Sequence, residues 1–336
     1  MDQITPPQNG KPVLSVKNLV KHFPVKKSFL STKREAVQAV NGISFSLAKG
    51  ETLGLVGESG CGKTTVGRLI VRLDTPDKGE IYYNDSPNLA ALPEKEMLSF
   101  RRNIQMIFQD PFSSLNPRMS VGSIVGEPLA IHHLAKGKER RERIGRLLRD
   151  VGLQPEHSVR FPHEFSGGQR QRISIARALA VEPDIVIADE PVSALDVSIQ
   201  AQIINLLLDL QKNFEISMIF ISHDLSVVGH ISHRIAVMYL GAFMEVGSRD
   251  QVLFDPLHPY TRALLSAIPT VDPGTTRKRI ILEGDVPSPI HPPPGCPFHP
   301  RCSERFDPCD KAAPPLVEFE DGRKVACFLY KDSTGK

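Results

Sequence analysis

The stretch from Thr52 to Leu73 constrains this chain more than any other. TLGLV at 52–56 runs into GESGCGKT at 57–64 and then into the apolar-periodic TTVGRLIVRL at 64–73. A compact apolar run reads as a strand, a glycine cluster breaks it, and the renewed periodicity reads as a helix. In that setting G-x-x-x-x-G-K-S/T is a phosphate-binding loop. Its glycines let backbone N–H groups curl around phosphate oxygens, and the helix N-terminus adds positive potential. Lys63 reaches the β- and γ-phosphates, Thr64 places its hydroxyl on Mg²⁺, and Gly57, Ser59, Gly60, Cys61, Gly62 and Thr65 complete the nucleotide contacts. Cys61 stands at a variable position of the loop and reads as a spectator thiol.

The rest of the chain fits one large α/β domain with an appendage. VLSVKNLV, AVQAV and ISFSL between Val13 and Leu47 read as strands, split by the basic insertion KKSFLSTKRE, a solvated loop. GEIYY at 79–83 reads as a further strand after a PDKG turn. Residues 94–180 are helical in composition, interrupted by IQMIF at 104–108 and by the Pro/Asn-rich DPFSSLNP at 110–117, and Lys136–Asp150 is a strongly basic helix whose charges read as a solvated face. IVIA at 185–188 and SMIFI at 217–221 are apolar on both faces and read as buried strands, with an amphipathic helix over 199–214 between them. Alternating strands and helices predict a mainly parallel sheet covered by helices. After about residue 255 proline becomes dense and periodicity fades, as expected for an extended appendage.

Composition removes several function classes. Net charge is +3, too small for a nucleic-acid footprint, so no nucleic-acid partner is expected. No window approaches the roughly 20 consecutive apolar residues of a membrane-spanning helix, so a membrane role falls to partner subunits. The N-terminus carries no export signal, and four of the five cysteines crowd into the tail, which predicts a reducing cytosol.

Two further motifs narrow the chemistry. In Ile185–Glu190 (IVIADE) a buried strand ends in two carboxylates, with Asp189 suited to the Mg²⁺ shell and Glu190 to polarising the attacking water. FSGGQ at 165–169 sets Ser166 at a helix N-cap ahead of Gly167, Gly168 and Gln169. A hydroxyl and N–H groups at a positive helix end make an anion site with no lysine and no preceding strand. It is built to complete another chain's nucleotide site.

FSGGQRQRISIARALA resembles the signature sequence of ABC ATPases, LSGGQ, with Phe165 for the leucine. The resemblance covers nearly the whole chain. It implies a P-loop NTPase fold with a RecA-like core sheet, an antiparallel β subdomain and a helical subdomain at about 110–180, all within 13–255. Gln109 in FQDP looks like the family's Q-loop residue at the Mg²⁺ site, and SALD at 193–196 like its D-loop. His223 in FISHD looks like the switch histidine that reaches the γ-phosphate. An aromatic that stacks on adenine corresponds to Phe23, with Phe29 as the fallback.

QDPFSSLNPRMSVG at 109–122, HPYTRALLSAIP at 258–269 and GDVPSPIHPPPGCPFHPRC at 284–302 make the chain similar to oligopeptide and dipeptide importer ATPases. The resemblance implies an ATPase powering peptide uptake, on the cytoplasmic face of the bacterial cytoplasmic membrane. Its expected partners are a paralogous ATPase subunit in a heterodimer, two integral-membrane permease subunits and, indirectly, an extracytoplasmic peptide-binding protein. Nickel and other small-solute importers share much of the pattern. A soluble ABC protein of repair or translation would carry coiled-coil insertions or tandem cassettes, absent here. FSGGQ argues against a small-molecule kinase, and the full set of hydrolytic residues against a pseudo-ATPase.

The appendage, 256–336, holds Cys296, Cys302, Cys309 and Cys327, spaced C-x5-C-x6-C-x17-C. Four thiolates match a 4Fe–4S cluster or an all-cysteine Zn²⁺ site. Closely spaced pairs typical of zinc are missing, and the resemblance also favours a cluster. Reduced cysteines without a metal are the remaining alternative.

Overall fold

The computed structural model describes residues 11–25, 35–268 and 279–330. Most of the basic insertion, with Phe29, and the PTVDPG stretch lie outside them. In chain order the elements are β1 (Leu14–Pro24), β2 (Ala36–Leu47), β3 (Thr52–Val56), α1 (Lys63–Ile70), β4 (Lys78–Tyr83), α2 (Glu94–Arg101), β5 (Ile104–Ile107), α3 (Pro111–Ser114), α4 (Val121–Ile131), α5 (Gly137–Asp150) and α6 (Gly167–Leu179). They continue with β6 (Ile185–Asp189), α7 (Val197–Phe214), β7 (Ser217–Ser222), α8 (Leu225–Ile231), β8 (Arg234–Tyr239), β9 (Ala242–Ser248), α9 (Arg249–Phe254), α10 (Pro259–Ser266), β10 (Val317–Glu318) and β11 (Lys324–Val325).

The main sheet has the order β10-β11-β9-β8-β3-β7-β6-β5. Its centre, β8-β3-β7-β6-β5, is parallel throughout. β3, β6 and β7 are buried along their whole length, which is why they read as unbroken apolar runs. Parallel neighbours bring their carboxyl ends to one edge, so the segments after β3, β6 and β7 converge there. A second, antiparallel sheet, β2-β1-β4, closes over α1 and buries Leu14, Val16, Leu19, Val40 and Ile81.

The region after β5 is helical, as its composition indicates. Asp110 caps α3 by accepting from the N–H groups of Phe112 and Ser113, which gives the DPFSSLNP interruption a short helix of its own. α5 buries only Ile144 and Leu148, so most of its basic residues form a solvated face. α6 runs back toward the sheet with Ile173, Ile175 and Ala176 fully buried.

The Pro-rich tail is drawn into the protein in two places. β11 pairs antiparallel with β9, so residues near the end of the described chain extend the main sheet. Cys296, Phe298 and Cys309 join the same apolar core that fills the space beneath the helical region. The Phe298 ring is 1% exposed and lies 5.5 Å from the Tyr239 centroid, 5.2 Å from that of Tyr260 and 5.8 Å from that of His258. Burial pushes the His258 imidazole down to about 3, and its Nδ1 accepts from the Tyr260 N–H. The aromatic anchor thus replaces the long periodic face that the tail lacks.

Phe298→Ala is expected to destabilise tail docking by about 3–5 kcal/mol, the range for a buried phenylalanine. Limited proteolysis would then cleave residues 279–330 ahead of the rest of the chain. Equal resistance in both proteins would refute the anchor.

Candidate nucleotide site

At the end of β3 the chain turns so tightly that side chains are excluded at two glycines. A Cβ on Gly57 would stand 2.1 Å from the Met238 carbonyl oxygen, and one on Gly62 2.0 Å from that of Ala39. Gly62 also takes φ +106° as the N-cap of α1. The curled loop surrounds Lys63, which is 4% exposed. Its Nζ donates to the carbonyl oxygens of Gly57 at 2.7 Å and Glu58 at 3.0 Å, with Cys61 Sγ at 3.7 Å. Burial pushes the Cys61 thiol up, against the pull of the ammonium, so it stays protonated and unreactive.

The next residue ties this loop to β6, two strands away. Thr64 Oγ1 donates to Asp189 Oδ1 at 2.9 Å. Asp189 is 2% exposed; burial raises its pKa, the Thr64 hydrogen bond opposes that, and the neighbouring Glu190 carboxylate adds to it. A raised carboxyl in contact with the phosphate-loop threonine is suited to a divalent cation, whose charge would reverse the penalty. These residues fit Mg²⁺ carried by a nucleotide.

Glu190 follows with φ +42°, a left-handed backbone uncommon for a side chain of this kind. Its N–H is held by the Ile221 carbonyl oxygen of β7. The turn re-aims the side chain, so that consecutive carboxylates face different tasks. Glu190 Oε2 accepts from Gln109 Nε2 at 2.9 Å, and Oε1 lies 3.5 Å from His223 Nδ1. Gln109 comes from the loop after β5 and His223 from the loop after β7, so three segments meet on one carboxylate.

One cleft collects these groups. It is lined by Phe23, Ser59, Gly60, Gly62, Lys63, Thr64, Thr65, Gln109, Glu190 and His223, with Val37 and Ala39 of β2 on its wall. Phe23, next to the last residue of β1, lines the same cleft as the phosphate loop. Ser166, Gly167, Gly168 and Gln169 do not line it. Ser166 is exposed at the N-cap of α6, its Oγ accepting from the Gln169 N–H while Gln169 Oε1 accepts from the Ser166 N–H. The chain therefore carries a cleft and, apart from it, an outward-facing helix end.

The four tail cysteines are all free thiols and line one small cavity with His258, Phe298 and Phe328. Burial pushes Cys296 and Cys327 up to about 11, with mutual repulsion among the four thiols contributing. Among the described residues, however, no group of three or more His, Cys, Asp or Glu side chains is arranged to hold a metal ion. The cysteines converge without forming a ligand set.

Sequence reasoning missed Tyr260 and Arg301. The Glu58 N–H donates to Tyr260 Oη at 3.0 Å, and Arg301 donates to both Glu58 carboxylate oxygens. The only signal was their position within HPYTRALLSAIP and CPFHPRC, which carries no hint of the phosphate loop 243 residues away.

Residues 40–193 match the family described as ABC transporter, and residues 244–309 match the oligopeptide/dipeptide transporter C-terminal region. The chain is 51% identical to the dipeptide transport ATP-binding protein DppF of Escherichia coli, over 95% of this chain and 94% of that one. It is 51% identical to a probable peptide ABC transporter ATP-binding protein, y4tS, of Sinorhizobium fredii, over 94% and 90%. Its fold resembles the dimeric ATP-binding cassette MJ0796, in a post-hydrolysis state bound to ADP and Pi, with a TM-score of 0.62 and 30% identity over 70% of this chain and 98% of that one. With the phosphate loop, the paired carboxylates and the capped FSGGQ helix all in place, the chain belongs to the ATP-binding proteins of the ABC transporter family, in the branch that carries the oligopeptide/dipeptide C-terminal region.

Proposed function

We propose that this chain is the ATP-hydrolysing subunit of an importer of di- and oligopeptides. The observation that carries the reading is Glu190, held between Gln109 and His223 at the edge of the cleft that contains Lys63 and Thr64. Phosphoryl transfer to water needs positioning and charge stabilisation more than covalent chemistry. Lys63 and the loop amides hold the phosphates, and Thr64 and Asp189, with Gln109, hold the nucleotide's Mg²⁺. Glu190 orients the attacking water, with His223 against the γ-phosphate. Phe23 offers an aromatic face to the base; such stacking contributes about 1–3 kcal/mol and selects the base weakly.

The outward-facing Ser166–Gln169 helix end supports assembly with a second, paralogous ATPase subunit, head to tail, each cap completing the partner's site. The peptide-transport relatives support two integral-membrane permease subunits and an extracytoplasmic peptide-binding protein as the rest of the machine, with this subunit at the cytoplasmic face of the bacterial membrane. No helix among the described residues is long and apolar enough to cross a membrane, so attachment runs through the permeases. Residues 13–255 form the nucleotide-binding unit, the helical region at about 110–180 faces the permeases, and 256–336 form the peptide-transporter appendage. The observation that favours a 4Fe–4S cluster, or Zn²⁺, in the appendage is that all four tail cysteines line one cavity.

Glu190→Gln is expected to keep ATP binding and lower turnover by about 10²–10⁴-fold, the usual share of a positioned base. Unchanged ATPase in the assembled transporter would refute the assignment. Asp189→Asn is expected to raise the thermal midpoint in Mg²⁺-free buffer at pH 7 by a few degrees. Because the folded pKa of Asp189 lies above its ordinary value, folding penalises the ionised form. The gain is therefore full above the folded pKa and vanishes as pH falls below 3.8. Anaerobically purified protein lacking stoichiometric iron and zinc would sink the metal assignment.

A further inference from the structure

We propose that the C-terminal appendage is a working part of the nucleotide site: Arg301 is a positioning residue that neutralises Glu58 and so makes the phosphate loop fit for a polyanion. The proposal rests on the ATP-binding reading above. It starts from an anomaly. A loop that binds phosphates holds a carboxylate next to its first glycine, where uncompensated negative charge opposes the ligand.

Three separate contacts fix Glu58. Its N–H donates to Tyr260 Oη at 3.0 Å, its carbonyl oxygen accepts from Lys63 Nζ at 3.0 Å, and its carboxylate takes both terminal nitrogens of Arg301, at 2.7 and 3.1 Å. The Arg301 side chain is 8% exposed and that of Glu58 24%, so water screens the pair little. A two-pronged guanidinium–carboxylate pair fixes direction as well as charge. Arg301 Nη1 also reaches Tyr239 Oη at 3.4 Å, and its guanidinium lies 6.0 Å from the centre of the Tyr239 ring. Tyr239 and Tyr260 are both fully buried and pack on each other with centroids 4.8 Å apart. Two appendage residues thus grip one phosphate-loop residue from behind, with the end of β8 as their base.

The placement of Arg301 follows from the tail's anchor. It ends the single turn His299–Arg301, directly after Phe298 and directly before Cys302. When Phe298 is seated between the two tyrosines, Arg301 is aimed at Glu58. Removing the guanidinium leaves a part-buried carboxylate uncompensated in the loop, a larger effect than losing a surface ion pair. Its cost to a ligand grows with the number of phosphates.

The test is equilibrium binding of fluorescent ATP, ADP and AMP analogues to the full chain. Arg301→Ala is expected to weaken ATP binding by at least about tenfold, with a smaller loss for ADP and a smaller one again for AMP. Arg301→Lys should retain most of the affinity, and the double variant Glu58→Gln/Arg301→Ala should recover it to within about threefold of wild type. A purely structural role predicts the opposite pattern: equal losses for all three nucleotides and no recovery in the double variant. That result, or unchanged binding by Arg301→Ala, overturns the proposal while leaving the ATPase reading intact. A wild-type chain that binds no nucleotide overturns both. If Arg301→Ala does not fold, the comparison of Arg301→Lys with Glu58→Gln/Arg301→Lys decides, since only the charge reading makes the second bind ATP at least as tightly as the first.

Discussion

An ammonium almost wholly removed from water costs several kcal/mol unless its donors are satisfied, and Lys63 meets that requirement with its own loop. The carbonyl oxygens of Gly57 and Glu58 turn inward to accept from it, which forces the tight backbone path that only glycine permits at 57 and 62. Loop and lysine therefore specify each other. Everything else in the cleft is placed relative to that curl. Thr64 follows Lys63 into α1 and finds Asp189, Ala39 of β2 packs against Gly62, and Glu58 turns outward to Tyr260 and Arg301. The sheet provides the frame, because parallel β3, β7, β6 and β5 end at the same edge, and these ends, with the segments that follow them, bring Lys63, Thr64, His223, Asp189, Glu190 and Gln109 together there.

The helical region is tied to this edge through Gln109. That residue binds Glu190 while its neighbour Asp110 caps α3, and α3 lies against α6, where Arg177 donates to the Ser114 carbonyl oxygen at 2.7 Å. Burial lowers the Arg177 pKa, with the Glu127 carboxylate opposing that effect. α6 in turn begins at Ser166. The residue that holds the Glu190 carboxylate and the cap facing outward are thus joined through one short helix and one guanidinium.

How much of this was legible in the sequence follows from where each signal is stored. β3, β6 and β7 read correctly because strands buried on both faces need apolar residues at every position, and the phosphate loop because its chemistry is local. The meeting of Gln109, Glu190 and His223 was legible only through family resemblance, since strand order rather than sequence spacing sets it. α3 escaped notice because proline and asparagine mask a single turn, although Asp110 supplies its cap. β10 and β11 span two residues each, too short for any alternation to register. The grip of Arg301 on Glu58 leaves no local trace at all. It depends on a phenylalanine seated between two tyrosines, and nothing in a Pro-rich run announces that.

Glu190 sits in a left-handed backbone that costs about 1–3 kcal/mol for such a residue and is enforced by the β7 carbonyl that holds its N–H. Glycine would adopt that conformation freely, and asparagine with less strain, so both fold more comfortably there and neither carries a carboxylate. Selection for stability alone would therefore drift away from glutamate at this position. In the proposed mechanism the chain keeps a less stable turn for the sake of its water-orienting carboxylate, and the cassette's resting robustness is set below what the same backbone could reach.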